Sequence, residues 1–131
     1  MNTVDFSSRK ESSFADNIFV ERWSPRSFDS FEINDAQLKK IIDAARWSPS
    51  CSNEQPWKFF TAKNDTPVFL KFVNFLSKGN QDWAKSSSVL GFVVSRNFFE
   101  KKDKVNNLSS FDCGAAWMSL VLQASFEGLH T

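Results

Sequence analysis

RWSPSCSNEQPWKFF, residues 46–60, is the stretch on which the fold turns. A helical pattern runs into it and an aromatic, strand-like run leaves it. Between them lies a polar loop with Pro49 and Pro56, serines on both sides of Cys51, and the amides Asn53 and Gln55. So many short hydrogen-bonding groups between two apolar elements either shape a turn or face a ligand.

Upstream, NDAQLKKIIDAARWS is the clearest helix. Asn34 is placed to cap it, with Gln37 three residues on as the reciprocal half of a capping box. Leu38, Ile41, Ile42 and Ala45 recur at helical spacing and form its buried stripe. Downstream, WKFFTA reads as a strand, and DTPVFLKFVNFLSKG as one amphipathic helix, opened by Pro67 and stopped by Gly79. NQDWAKSSS holds a further helical turn, and VLGFVVS, Val89 to Ser95, has the β-branched character of a buried strand. RNFFEKKDKVNNLSS is a polar excursion. FDCGAAWMSLVLQASFEG closes the pattern as a long, nearly all-apolar helix ending at Gly128. At the other end, residues 1–13 are polar and Ser-rich and read as a flexible arm, with one domain over residues 14–131. FADNIFVERWS makes a short helix with Phe14, Ile18 and Phe19 on one side, ended at Ser24-Pro25. Helices interleaved with strands give an α+β class.

The 131 residues suffice for one domain, and 41% hydrophobic content allows a core. Fifteen Phe, five Trp and no Tyr are unusual, and the phenylalanines read as core filler. A net charge of +1 provides no field to recruit nucleic acid or an anionic membrane. No apolar run is long enough to span a bilayer, and the N-terminus lacks the apolar segment of a secretory signal. The expected location is cytoplasmic. Cys51 and Cys113 have no partner at metal-ligand spacing, and the one histidine is His130, which argues against zinc. The cysteines read as free thiols, with a disulfide as the other possibility.

The chemistry of the loop is that of neutral donors and acceptors: Ser50, Ser52, Asn53 and Gln55, with Glu54 a lone acid. In ERWSPRSF, Arg22, Ser24 and Arg26 lie close together, and guanidiniums bind phosphate through paired donors. Pro25 breaks the helix between them, so they can converge. Together these groups suit a phosphorylated planar cofactor, held and tuned by the protein while the cofactor carries the chemistry. The plainer reading has the arginines solvated or paired with Glu21 and Asp29, and the loop residues serving only the turn.

ERWSPRSF followed by LKKIIDAARWSPSCSNEQPWKFF resembles the nitroreductase family of FMN-dependent oxidoreductases. The matching residues are Arg22, Ser24 and Arg26, then Pro49, Ser50, Asn53, Gln55, Pro56 and Trp57. GNQDWAKSSSVLGFVV and FDCGAAWMSLVLQASFEGLHT add two further matches in order. The resemblance implies a nitroreductase-like fold, with a central sheet flanked by helices. It implies that Arg22, Trp23, Ser24 and Arg26 hold the FMN phosphate and ribityl chain, with Asn80 from the same subunit. Pro49, Ser50, Cys51 and Asn53 would reach FMN bound mainly by the other subunit of an intertwined homodimer, with the long helix at its centre. Gln55 and Trp57 would stabilise the loop rather than touch flavin. The implied activity is a ping-pong transfer of electrons from NADH or NADPH to a small acceptor such as a nitroaromatic or quinone, with no catalytic side chain required. Relatives continue past GLHT, so the C-terminal strands are expected to be missing. A catalytically silent module for interaction or flavin binding is the alternative.

Overall fold

The structure is a computed structural model that describes residues 4–11, 13–29 and 31–131. Its elements are α1 (Ser7–Glu11), α2 (Asn17–Glu21), α3 (Asp35–Ala45), β1 (Trp57–Lys63), α4 (Pro67–Asn74), α5 (Lys78–Ala84), β2 (Val89–Ser95) and α6 (Ser109–Phe126). The strands pair antiparallel in the register Trp57 with Ser95 through Lys63 with Val89. That register decides the layers, because side chains alternate between the faces of a sheet. Trp57 and Phe59 point to the face that meets Ala45 of α3 and Cys113 and Ala116 of α6. Ala62 and Leu90 point to the opposite face, where Phe69, Phe72 and Val73 of α4 cover them. The sheet is thus sandwiched between α4 and the α3–α6 pair. These two helices run antiparallel: Ala45 packs near Cys113 and Ala116, whereas Ile41 packs near Ala124. Lys40 also pairs with Glu127 at the far end.

Helix α3 begins where the sequence places it. The Asn34 side chain accepts from the Gln37 amide at 2.9 Å, and the Gln37 side chain accepts from the Asn34 amide at 3.2 Å. Asn34→Ala should therefore lower unfolding free energy by about 1 kcal/mol, read as a shift in the urea midpoint at unchanged m. A change within measurement error would mean that the cap adds nothing in the intact chain. Lys63 at the end of β1 reaches Asp35 in the first turn of α3. This hydrogen bond holds the Asp35 carboxyl below its ordinary range and the Lys63 ammonium above its own.

Several expectations are corrected. The 65–79 stretch is two helices, because the chain breaks after Asn74, and Gly79 lies in the first turn of α5 rather than ending α4. Phe14 precedes α2 and is fully exposed instead of lining it. Strand β2 has the expected bounds, but it is not buried: Val93 and Val94 are exposed, because the sheet has two strands among the described residues. Nor do the phenylalanines mainly fill a core. Phe69 is buried, while Phe14, Phe19, Phe31, Phe60, Phe75, Phe98, Phe111 and Phe126 are exposed. A two-stranded sheet covered by short helices encloses too little volume for so many rings. Within residues 1–13, Ser7–Glu11 form one exposed helical turn. Helix α6 ends as expected, with Gly128 at φ +73°, a left-handed conformation that glycine adopts at no steric cost. Among the described residues, no helix is long and apolar enough to cross a membrane.

Candidate functional site

The loop after α3 carries an unusual backbone. Cys51–Asn53 make a single tight turn interrupted at Ser52, and Ser52, Asn53 and Gln55 have φ of 55°, 54° and 46°. Left-handed conformation costs a residue with a Cβ about 1–2 kcal/mol, so the surroundings must hold it. They do so from three sides. Within the loop, the Gln55 amide donates to Ser50 Oγ at 3.0 Å and Gln55 Nε2 to Asn53 Oδ1 at 3.0 Å. From α6, Asp112 Oδ2 accepts the Cys51 amide at 3.1 Å, and Ser48 Oγ lies 2.6 Å from Ser119 Oγ and 3.3 Å from the Ala115 carbonyl. From the end of β2, Arg96 Nη2 donates to Glu54 Oε1 at 2.7 Å, and its amide donates to the Pro56 carbonyl at 2.9 Å. Glu54 is therefore not the lone acid of the sequence reading. Strained residues that are over-determined by their neighbours are typical of ligand-facing loops.

The roles of Asp112, Glu54 and Arg96 escape the sequence reading because their partners are remote along the chain. The positive φ values left a local trace: asparagine tolerates that region, and Pro56 steers Gln55 away from right-handed helix. Gln55 and Trp57 act as expected. Gln55 ties the loop to itself, and Trp57 is buried between α3 and α6. Both cysteines are free. Burial pushes the Cys113 thiol up, its hydrogen bond to Ser95 pulls it down, and the adjacent Asp112 adds to the rise.

The Arg22–Arg26 segment lies elsewhere. Trp23 packs edge-on against His130, with ring centroids 5.9 Å apart, beyond the C-terminal end of α6. Arg22 Nη1 donates weakly to Ser24 Oγ at 3.4 Å. Glu21, a possible partner for these arginines, pairs with Lys10 instead. Arg26 is exposed and makes no ion pair among the described residues. Arg22 lines a shallow groove with Arg9 and Phe19; Arg9 is a third guanidinium that the motif reading did not include. Phe28 packs on Trp83 at 6.1 Å, which brings α5 against this segment. Asn80 lies three residues before Trp83, on the same side of α5, and is exposed.

Arg22, Trp23, Ser24 and Arg26 thus stand in one segment, with α5, which carries Asn80, packed against Phe28 just downstream, while Pro49, Ser50, Cys51 and Asn53 stand in the loop after α3. Among the described residues no contact joins the two within one chain: the loop is tied to Asp112 in the first turn of α6, whereas Trp23 packs against His130, which follows the other end of that helix. A groove of about 680 Å³ contains neither set: Phe28, Phe31, Glu32, Lys63 and Asp65 are among its walls.

The nitroreductase family model matches residues 19–68, the span that contains both the arginine segment and the loop. An oxygen-insensitive NADPH nitroreductase of Helicobacter pylori strain J99 is 38% identical over 76 residues, which is 57% of this chain and 35% of that enzyme. A solved structure described as an oxidoreductase containing FMN is 43% identical, with a TM-score of 0.88 over 98% of this chain and 66% of that one. An FMN-dependent nitroreductase of Clostridium difficile R20291 shares the fold at a TM-score of 0.70 and 24% identity, covering 84% of this chain and 60% of that one. The chain thus spans about a third of the curated relative's length within the match, and somewhat under two thirds of these solved structures. By its ordered motifs and by its α+β fold, the chain is similar to the nitroreductase family, whose model it matches over residues 19–68.

Proposed function

We propose that the chain supplies the two protein surfaces of an FMN site in an NAD(P)H-dependent oxidoreductase that reduces a small acceptor such as a nitroaromatic or quinone by alternating donor and acceptor in one pocket. The observation that carries this reading is the pairing of an uncommitted guanidinium, Arg26, with a rigid loop of unspent neutral donors. Arg26 and Arg22 would grip the phosphate, with Ser24 and Asn80 beside the ribityl chain and Trp23 alongside. In the loop, Ser50 keeps its hydroxyl hydrogen, because its oxygen accepts from Gln55. Asn53 keeps its amide hydrogens, because its carbonyl oxygen is the atom bound. These donors, with Pro49 and Cys51, would meet the edge of the ring system. Bound FMN supplies the redox chemistry; the chain binds, orients and shields it.

The separation of the two regions supports a homodimer as the working form. In a twofold pair with α6 antiparallel to its copy, the N-terminal end of one α6 lies near the C-terminal end of the other. The loop of one subunit then faces the arginine segment of its partner. Phe111 and Trp117 on the exposed side of α6, and Phe126 at its end, offer apolar surface for such a pair.

Arg26→Ala should raise the FMN dissociation constant by about tenfold or more, the equivalent of one charge-assisted hydrogen bond. Quenching of FMN fluorescence on titration measures it, with gel filtration of the yellow complex as a second readout. Equal affinity in variant and parent would remove the phosphate role from Arg26.

A further inference from the structure

We infer that Asp112 is a positioning residue: from the first turn of α6, its carboxylate holds the Cys51 amide and so sets the conformation of the 49–53 segment. Its effect on flavin binding rests on the function proposed above; its effect on loop order does not. Asp112 is only 4% exposed, yet the one hydrogen-bonded partner of its carboxylate among the described residues is a backbone amide 61 residues away. Burying a carboxylate is unfavourable, and an apolar side chain would fill the same space without that penalty. What the carboxylate adds is direction. Its charge is favoured at the helix N-terminus, and from there it fixes one N–H vector in the loop. The other two anchors flank the segment, Ser48 before Pro49 and Glu54 after Asn53. Asp112 alone is bonded inside it, next to the left-handed Ser52 and Asn53. Without it, the strained turn keeps its ends and its own internal bonds and loses the tie between its middle and α6.

The test uses the full chain as Asp112→Ala and Asp112→Asn. The readouts are the iodoacetamide alkylation rates of Cys51 and Cys113, resolved by peptide mass, together with FMN affinity. Cys113, buried and with its thiol pushed up, reports opening of the whole fold. Asp112→Ala should speed alkylation of Cys51 by about tenfold and that of Cys113 far less, since losing the adjacent carboxylate removes only the smallest of the effects on a thiol that stays buried. Asp112→Asn should restore the slow rate, because its amide oxygen can accept the same bond. FMN affinity should follow the Cys51 rate. Unchanged Cys51 labelling in Asp112→Ala, or equal acceleration at both cysteines, overturns the inference. Should Asp112→Ala not fold, amide hydrogen exchange of the wild-type chain decides. The Cys51 amide should be protected relative to that of Ser52, which has no acceptor among the described residues; equal protection overturns the inference. Failure of the wild type to bind FMN would sink the proposed function, while the thiol rates would still decide the role of Asp112.

Discussion

Trp57→Ala should destabilise the chain by about 3–5 kcal/mol, the usual range for truncating a large buried aromatic. Against a total of about 5–15 kcal/mol for a typical domain, such a loss leaves little reserve. Trp57 starts β1 immediately after the loop and is only 9% exposed. It packs where three elements meet, against Ala45 of α3 and Cys113 and Ala116 of α6. Both helices present small side chains there, so the indole fills the space between them, with Phe59 and Leu120 packed at its border. Trp57→Phe, which keeps most of the volume, should lose markedly less. Urea unfolding followed by far-ultraviolet circular dichroism distinguishes the two. If Trp57→Ala cost under about 1 kcal/mol, far below the cavity expectation, the junction of α3, β1 and α6 would not be where the fold is held. The result bears on how the motif is understood: the tryptophan after Gln55-Pro56 marks the place where the loop is nailed to the core, not a ligand contact.

What the sequence disclosed follows from the range of the interactions involved. The capping box at Asn34 and Gln37, the strand bounds at Trp57 and Val89–Ser95, and the stop at Gly128 depend on neighbours within a few positions, and all are present. The exception among local features is Gly79. Glycine is as compatible with the first turn of a helix as with its end, and the break after Asn74 has no proline to announce it. The site is different in kind. Its candidate ligand-facing residues stand in two short motifs and at Asn80, so they could be named from the sequence. Their supports could not be, because the Cys51–Asp112 bond spans 61 residues and the Glu54–Arg96 pair spans 42. Residue type gave no warning either: an Asp in an apolar helix and a Glu in a polar loop read as solvent-facing until the fold shows what each touches. The same holds for the exposed rings. A chain rich in Phe suggests a large core, but only the strand register and the small sheet show how few rings it can hold.

Glu54→Ala should cost about 2–3 kcal/mol, somewhat below the loss for breaking a fully buried ion pair. The discount follows from exposure: the Glu54 side chain is 13% exposed and that of Arg96 is 31% exposed, so water screens part of the interaction. Glu54 Oε1 accepts from Arg96 Nη2 and also from the Glu100 amide. Its removal leaves that amide without its acceptor and leaves Arg96 with the Glu54 main-chain carbonyl and the exposed Glu100 carboxylate, both at 3.3 Å. Arg96 Nε is already buried without a partner, so the guanidinium has little other compensation. Arg96→Ala should cost less, because Glu54 would still accept the Glu100 amide and can turn toward water. The double variant should recover part of the sum, with a coupling energy of about 1–2 kcal/mol from a double-mutant cycle. Additive losses would show that the two side chains act independently and that the ion pair does not hold the loop. The measurement should be repeated at high salt. Partial burial predicts that most of the coupling survives where an exposed pair would be screened away. Because Glu54 follows directly on the left-handed Asn53, coupling that persists in salt would mean that the conformation of the candidate flavin-facing turn is set from the end of β2 as well as from α6.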